Sequence, residues 1–352
     1  MTPEGGPEPP HGTVPERDRE RDRHRRPLLQ RLHGEHPTKA AVRVLAIDGG
    51  GIRGIVPAVV LAEIERRTGR HPSELFDVFA GTSTGSILAM GMAVPGADGN
   101  PRHSAATAAD IYEEYSPRIF PRSLLPQLRG LVHGKYQADG LQDTLATMFG
   151  DARLSDALVH TLVPVYDLLR QDIDVFDTVR AANGEQDDLP MRVALRGATA
   201  APTYFDPLLV GPPVADSRRL FVDGGLFANN PGMLAFTEVG RHHAGADVIM
   251  VSLGTGDTDD RLELKGVHDW GLAQWARPLL HLLASSNNQT VDHELHHLLG
   301  RSRYFRFQTS LAQDARMDNA TPADMRRLRQ LGEVLVDTQS ELLDTACRQL
   351  LR

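Results

Sequence analysis

Cysteine is nearly missing: Cys347 is the single thiol in 352 residues, which excludes an internal disulfide and a cysteine-built zinc cluster. That suits a reducing compartment, and the thiol is expected to pack near a C-terminal helix. Long apolar runs are missing too. No stretch of 18 or more apolar residues is present to cross a bilayer, and the first residues lack the apolar core of a secretory signal. The expected location is therefore the cytoplasm. Positive charge is not in excess. Lys and Arg number 38 against 46 Asp and Glu, a net charge of −8, so the whole chain does not attract a polyanion and nucleic acid is not an expected partner.

What is present is a globular composition, 41% hydrophobic, with 32 glycines and 23 prolines for many tight loops. The exception is residues 1–38, rich in Pro, Gly, His and alternating charge ("PERDRERDRHRR"), which cannot bury enough apolar surface to offset the entropy of ordering. They are expected to form a solvated tail. Residues 39–352 are then long enough for one large domain with a helical C-terminal part.

From residue 40 onward, short β-rich runs alternate with longer helical patterns, as an α/β fold with a mostly parallel sheet requires. Strands are predicted at "AVRVLAI" (41–47), "LFDVFAG" (75–81), "TLVPVYDL" (161–168), "MRVALRG" (191–197), "RLFVDG" (219–224) and "DVIMVSLGTG" (247–256). Helices are predicted at 54–69, closed by Gly69, and at 84–92. Helices and loops are expected over 105–160, and a mostly helical remainder after 256. In a parallel sheet the carboxyl ends of all strands share one edge, where ligands bind. The polar or glycine-rich turns at 48–51, 81–85, 223–225 and 252–256 each follow a predicted strand, so they are expected to converge.

"GTSTG" (81–85) fits G-x-S-x-G, a sharp strand-to-helix turn that lifts a serine hydroxyl above the sheet edge, with Gly81 and Gly85 where side chains would collide. Ser83 would also head a helix, whose unpaired N–H groups favour developing negative charge. Asp223, in "FVDGG" with Gly224 and Gly225, ends another predicted strand and supplies a candidate base. Gly49, Gly50 and Gly51 allow the chain to approach a reacting carbonyl and aim N–H groups at an oxyanion; Arg53 would add a fixed charge or brace the loop.

Other chemistries fit parts of the chain. "GGGIRG" (49–54) matches the G-x-G-x-x-G dinucleotide fingerprint, but the second strand ends in the serine turn where that fold wants an acidic residue. "HELHH" (293–297) matches H-E-x-x-H, with His293 and His297 one turn apart and Glu294 beside them, although no third zinc ligand follows at a suitable spacing. An α/β-hydrolase would need a histidine after Asp223. His242, His243, His268 and His281 follow it, none in a marked loop after a late strand.

Taken in order and separation, "DGGGIRG" (48–54), "GTSTG", "ATAAPTYFDP" (198–207), "VDGGLFANNP" (222–231) and "SLGTG" (252–256) resemble the patatin-like phospholipase family. The similarity runs from about residue 42 to 310. It also takes in "EEYSPRIFP" (113–121) and "KYQADGLQDTLATMFGDARLSDAL" (135–158). The resemblance implies a three-layer α/β/α fold and phospholipase A-type cleavage of lipid acyl esters through a Ser–Asp dyad and an acyl-enzyme, with no catalytic histidine, metal or cofactor. Ser83 would be the nucleophile and Asp223 the general base. Gly49, Gly50, Gly51 and Arg53 would form the oxyanion loop, with Gly54, Gly81, Gly85, Gly224 and Gly225 as motif glycines. The implied partner is membrane or micellar lipid met at an interface, with the protein peripheral to the membrane. Residues 118–134, "RIFPRSLLPQLRGLVHG", are expected either to rim the site and dip into lipid or to serve as core or lid.

Overall fold

The computed structural model describes residues 41–121, 136–211, 218–243, 245–258, 272–312 and 315–352. The expected tail at 1–38 and most of the segment 118–134 lie outside these residues. Strand β1 (Val42–Ile47) shows how the layers arise. Its even-numbered residues Val44 and Ala46 enter one apolar cluster, while Leu45 and Ile47 enter another on the opposite face. A strand covered on both faces reads as a nearly continuous apolar run.

Helix α1 (Ile55–Thr68) follows a 3-10 turn at Gly51–Gly54 and ends at Gly69, whose left-handed φ of 64° lets its N–H close on the Glu65 carbonyl. Strand β2 (Val78–Gly81) leads into α2 (Thr84–Ala93). Next come α3 (Ala108–Ile119), α4 (Asp139–Phe149), the hairpin β3 (His160–Asp167) and β4 (Asp172–Asp177), then α5 (Met191–Ala198). Strands β5 (Leu208–Val210) and β6 (Arg219–Asp223), helix α6 (Gly232–His242), β7 (Val248–Leu253), and short β8 (Asp257–Thr258) follow. The chain ends with α7 (Leu272–Leu299), β9 (Tyr304–Phe307), β10 (Ser310–Leu311), α8 (Pro322–Thr338) and α9 (Ser340–Leu350). Side chains of α1 to α5, α8 and α9 pack on one face of the sheet, those of α6 and α7 on the other. The result is a three-layer α/β/α arrangement. Cys347 is buried on α9, as expected.

The stretch 191–197 is helical, not a strand. Met191, Ala194, Leu195 and Ala198 are its fully buried apolar positions, a spacing of three and four that fits a helix face and breaks the alternation of a strand. Strand β4, "DIDVFD", was not anticipated, because its aspartates disguise a pairing with β3 over its whole length.

The main sheet is mixed, in the order β5-β6-β3-β2-β1-β7-β9, with β4 also paired to β3. From β3 to β9 every pairing is parallel, whereas β4 and β6 run antiparallel to β3. Convergence of the two candidate residues therefore does not come from parallel strands sharing an edge. Leu162 pairs with Ala80 of β2 and Asp177 of β4, and Val165 pairs with Asp223 of β6 and Asp174 of β4. A strand has two edges, and β4 occupies one throughout. Strands β2 and β6 must share the other, running toward each other with Ala80 and Asp223 opposite β3 residues only about 10 Å apart.

Candidate active site

Ser83 sits where β2 turns into α2, with φ 54° and ψ −121°. Such a backbone costs a non-glycine residue roughly 1–3 kcal/mol and persists only when its surroundings hold it. They do. The Thr82 N–H donates to the Ile47 carbonyl (3.1 Å), the Thr82 hydroxyl to the Ala228 carbonyl (2.6 Å), and the Ser86 hydroxyl to the Ser83 carbonyl (2.5 Å). Gly85 is required by close approach, since a Cβ there would strike the Ile47 carbonyl. Ser83 itself keeps partial exposure.

Asp223 ends β6 and is buried, with 5% exposure. Its carboxylate faces the Ser83 side chain and accepts the Gly225 N–H at 2.8 Å. Burial pushes the carboxyl up to about 6, although the neighbouring Ser83 hydroxyl and the Gly225 N–H pull it down.

The glycine loop is held by its carbonyls. The Gly49 carbonyl accepts the Thr255 hydroxyl (2.7 Å), and the Gly50 carbonyl accepts both the N–H (3.3 Å) and the Nε–H (3.2 Å) of Arg53. In a trans peptide the N–H points opposite to its carbonyl, so these anchors fix the directions of the Gly50 and Gly51 N–H groups. Neither has an acceptor among the described residues. The Gly49 N–H differs, because it donates to the Asn229 carbonyl at 3.0 Å. Gly49 nevertheless lies against the serine, where an added Cβ would stand 3.4 Å from the Ser83 Cβ. Gly51 has a left-handed φ of 58° and packs against the Met317 carbonyl, which accepts the Ile52 N–H at 3.0 Å. Arg53 is buried, which lowers its basicity, and it clamps the loop through Gly50.

Among the supporting residues, Asn287, Asn288 and Arg306 carry no sequence signal of their own, whereas Asn229, Asn230, Asp48 and Ser252 lie within the motif blocks. Asn229 Nδ2 donates to Asn288 Oδ1 (3.0 Å), Asn287 Nδ2 donates to the Phe227 carbonyl (2.9 Å), and the Asn230 N–H donates to Asn287 Oδ1 (3.2 Å). Helix α7 thus fixes the loop after Asp223 through "NN" at 287–288. Below the glycine loop, Asp48 and Arg306 form a buried two-pronged ion pair (2.9 and 2.5 Å), with Arg306 also bonded to the Ser252 hydroxyl (2.8 Å). Burial raises the Asp48 carboxyl against the pull of that guanidinium.

The "HELHH" residues lie on α7, with His293, Glu294 and His297 exposed and Leu295 and Leu299 buried. The rings of His293 and His297 are 4.3 Å apart, yet no group of three or more His, Cys, Asp or Glu among the described residues is placed to hold a metal. His242 bonds Glu238 on its own helix (3.0 Å). His268 and the side chain of His281 fall outside the described residues.

Comparison with known sequences gives the class to which this fold belongs. The family model for patatin-like phospholipase matches residues 45–236. The chain is 32% identical over 307 residues to a cGAMP-activated phospholipase of Pseudomonas aeruginosa, covering 86% of this chain and 85% of that one. It is 30% identical over 338 residues to patatin-like protein 1 of Oryza sativa subsp. indica (83% and 80% covered), and 28% identical over 336 residues to patatin-like protein 1 of Arabidopsis thaliana (84% and 81%). The protein belongs to the patatin-like phospholipase family. Membership supports lipid acyl hydrolase activity, and no helix among the described residues is long and apolar enough to cross a membrane.

Proposed function

We propose that the protein cleaves carboxylic ester bonds of membrane or micellar phospholipids, with Ser83 as nucleophile and Asp223 as general base. The observation that carries this reading is that the Ser83 side chain faces the buried Asp223 carboxylate next to a glycine loop whose Gly50 and Gly51 N–H groups have no acceptor among the described residues. Asp223 accepts the hydroxyl proton as Ser83 Oγ forms its bond to the acyl carbon. The carbonyl electrons move to oxygen, and the Gly50 and Gly51 N–H groups stabilise that oxyanion. Collapse of the tetrahedral adduct breaks the ester C–O bond, and the leaving alkoxide takes the proton back from Asp223. Water then repeats the sequence on the acyl-enzyme and releases a fatty acid. Gly49 contributes close approach rather than a donor, and Arg53 acts as a brace. A buried carboxyl at about 6 is a better base than an exposed one, which lessens the mismatch with a serine hydroxyl.

The test is release of fatty acid, identified by mass, from phospholipid vesicles by wild type, Ser83→Ala and Asp223→Asn. Loss of about 10³-fold or more in both variants is expected. If both variants keep the wild-type rate and a chelator abolishes it, the "HELHH" helix carries the chemistry instead.

A further inference from the structure

Ser83 caps the start of helix α2, and residues four and eight positions on, Ile87 and Gly91, follow on one side of the helix. Both line a half-open cavity of about 40 Å³ between α2, α3 and α4, roughly three times what a single water requires. Met92, Ile111, Tyr115 and Met148 complete an apolar wall. Three polar groups at its margin are bonded into the protein. His103 Nε2 bonds the Met148 carbonyl, the Thr144 hydroxyl donates to the Gly140 carbonyl, and the Tyr112 hydroxyl donates to the Thr84 carbonyl (2.9 Å). An apolar cavity of this kind favours hydrocarbon over water.

Gly91 is the unusual residue. Glycine inside a helix is unfavourable compared with alanine, and here no turn or close approach calls for it. A Cβ placed on Gly91 meets nothing within 4 Å, because it would project into the cavity. We propose that this cavity receives the far end of the acyl chain during hydrolysis and that Gly91 sets the chain length accepted. The inference rests on the reading of Ser83 as nucleophile. The rise from Ser83 to Gly91 is about 12 Å, roughly the length of a ten-carbon chain. Chains of that length reach the open floor, whereas a butyryl chain stops well short of it.

The experiment compares p-nitrophenyl esters of four and twelve carbons on wild type, Gly91→Ala and Gly91→Leu, with thermal melts to establish folding. Both replacements are better helix formers than glycine. The ratio of kcat/KM for the twelve-carbon ester to that for the four-carbon ester should fall at least tenfold in Gly91→Leu, with Gly91→Ala between. A ratio within twofold of wild type overturns the proposal. Binding of decanoate to Ser83→Ala, and its loss in Ser83→Ala/Gly91→Leu, tests the cavity without catalysis. If the wild type cleaves no ester but this binding pattern holds, the catalytic reading fails and the cavity assignment stands; if decanoate binds both proteins equally, the cavity assignment fails.

Discussion

The Asp223 carboxylate meets the Ser83 side chain because β6 and β2 run toward each other along the same edge of β3, one ending in the acid and the other in the serine turn. The acid is buried by that arrangement, and its burial raises its proton affinity.

A pH profile follows. The base is active when ionised, so kcat/KM should rise with pH through a single ionisation near 6 and level off above it. An activity that stays flat from pH 5 to 8 would rule Asp223 out as the base.

The same shift predicts a stability difference. The folded protein holds this proton more tightly than the unfolded chain, whose carboxyl titrates near 3.8. Between about 3.8 and 6 the native state binds more protons, so this group lowers stability as pH rises through that window. Asn cannot ionise. Asp223→Asn should therefore be more stable than wild type by about 1–3 kcal/mol at pH 7 to 8, with the gap closing below pH 5 in chemical denaturation.

The carbonyl anchors of the glycine loop make a third case. Thr255→Val removes the hydroxyl that holds the Gly49 carbonyl and loosens the direction of the Gly50 N–H. We expect kcat to fall about tenfold, a part of the 2.7–4 kcal/mol lost with a whole oxyanion donor, while KM changes little. Steady-state kinetics on a soluble ester measure this directly.

The Asp48–Arg306 pair should behave as a buried ion pair does. Arg306→Met leaves an unpaired buried carboxylate and should destabilise by about 3–5 kcal/mol. Adding Asp48→Asn should recover part of that loss, read from urea melts of the single and double variants.

Much of this was legible along the chain. A strand, a glycine-rich turn and a helix are local features, so β1 with its glycine loop, and β2 with the serine elbow, can be read from neighbouring residues alone. Apolar spacing likewise identified five of the eight strands of the main sheet, and it misled at 191–197 because a short amphipathic helix and a strand share an apolar content that differs in period.

Other features have no local signature. Asn287 and Asn288 are ordinary polar residues until α7 lies against the loop after Asp223, and Arg306 is an ordinary strand residue until β9 brings it under Asp48. The Gly49 N–H reads as a free donor in the sequence, and only the fold brings the Asn229 carbonyl onto it.

The sequence by itself determined which residues stand at strand ends, because backbone sterics and apolar periodicity act over a few neighbouring positions. Tertiary structure alone decided how the acid reaches the serine. Strand direction in a sheet depends on pairing between segments far apart in the chain, and here an antiparallel partner of β3 delivers Asp223 from the side opposite to the one a parallel sheet would require.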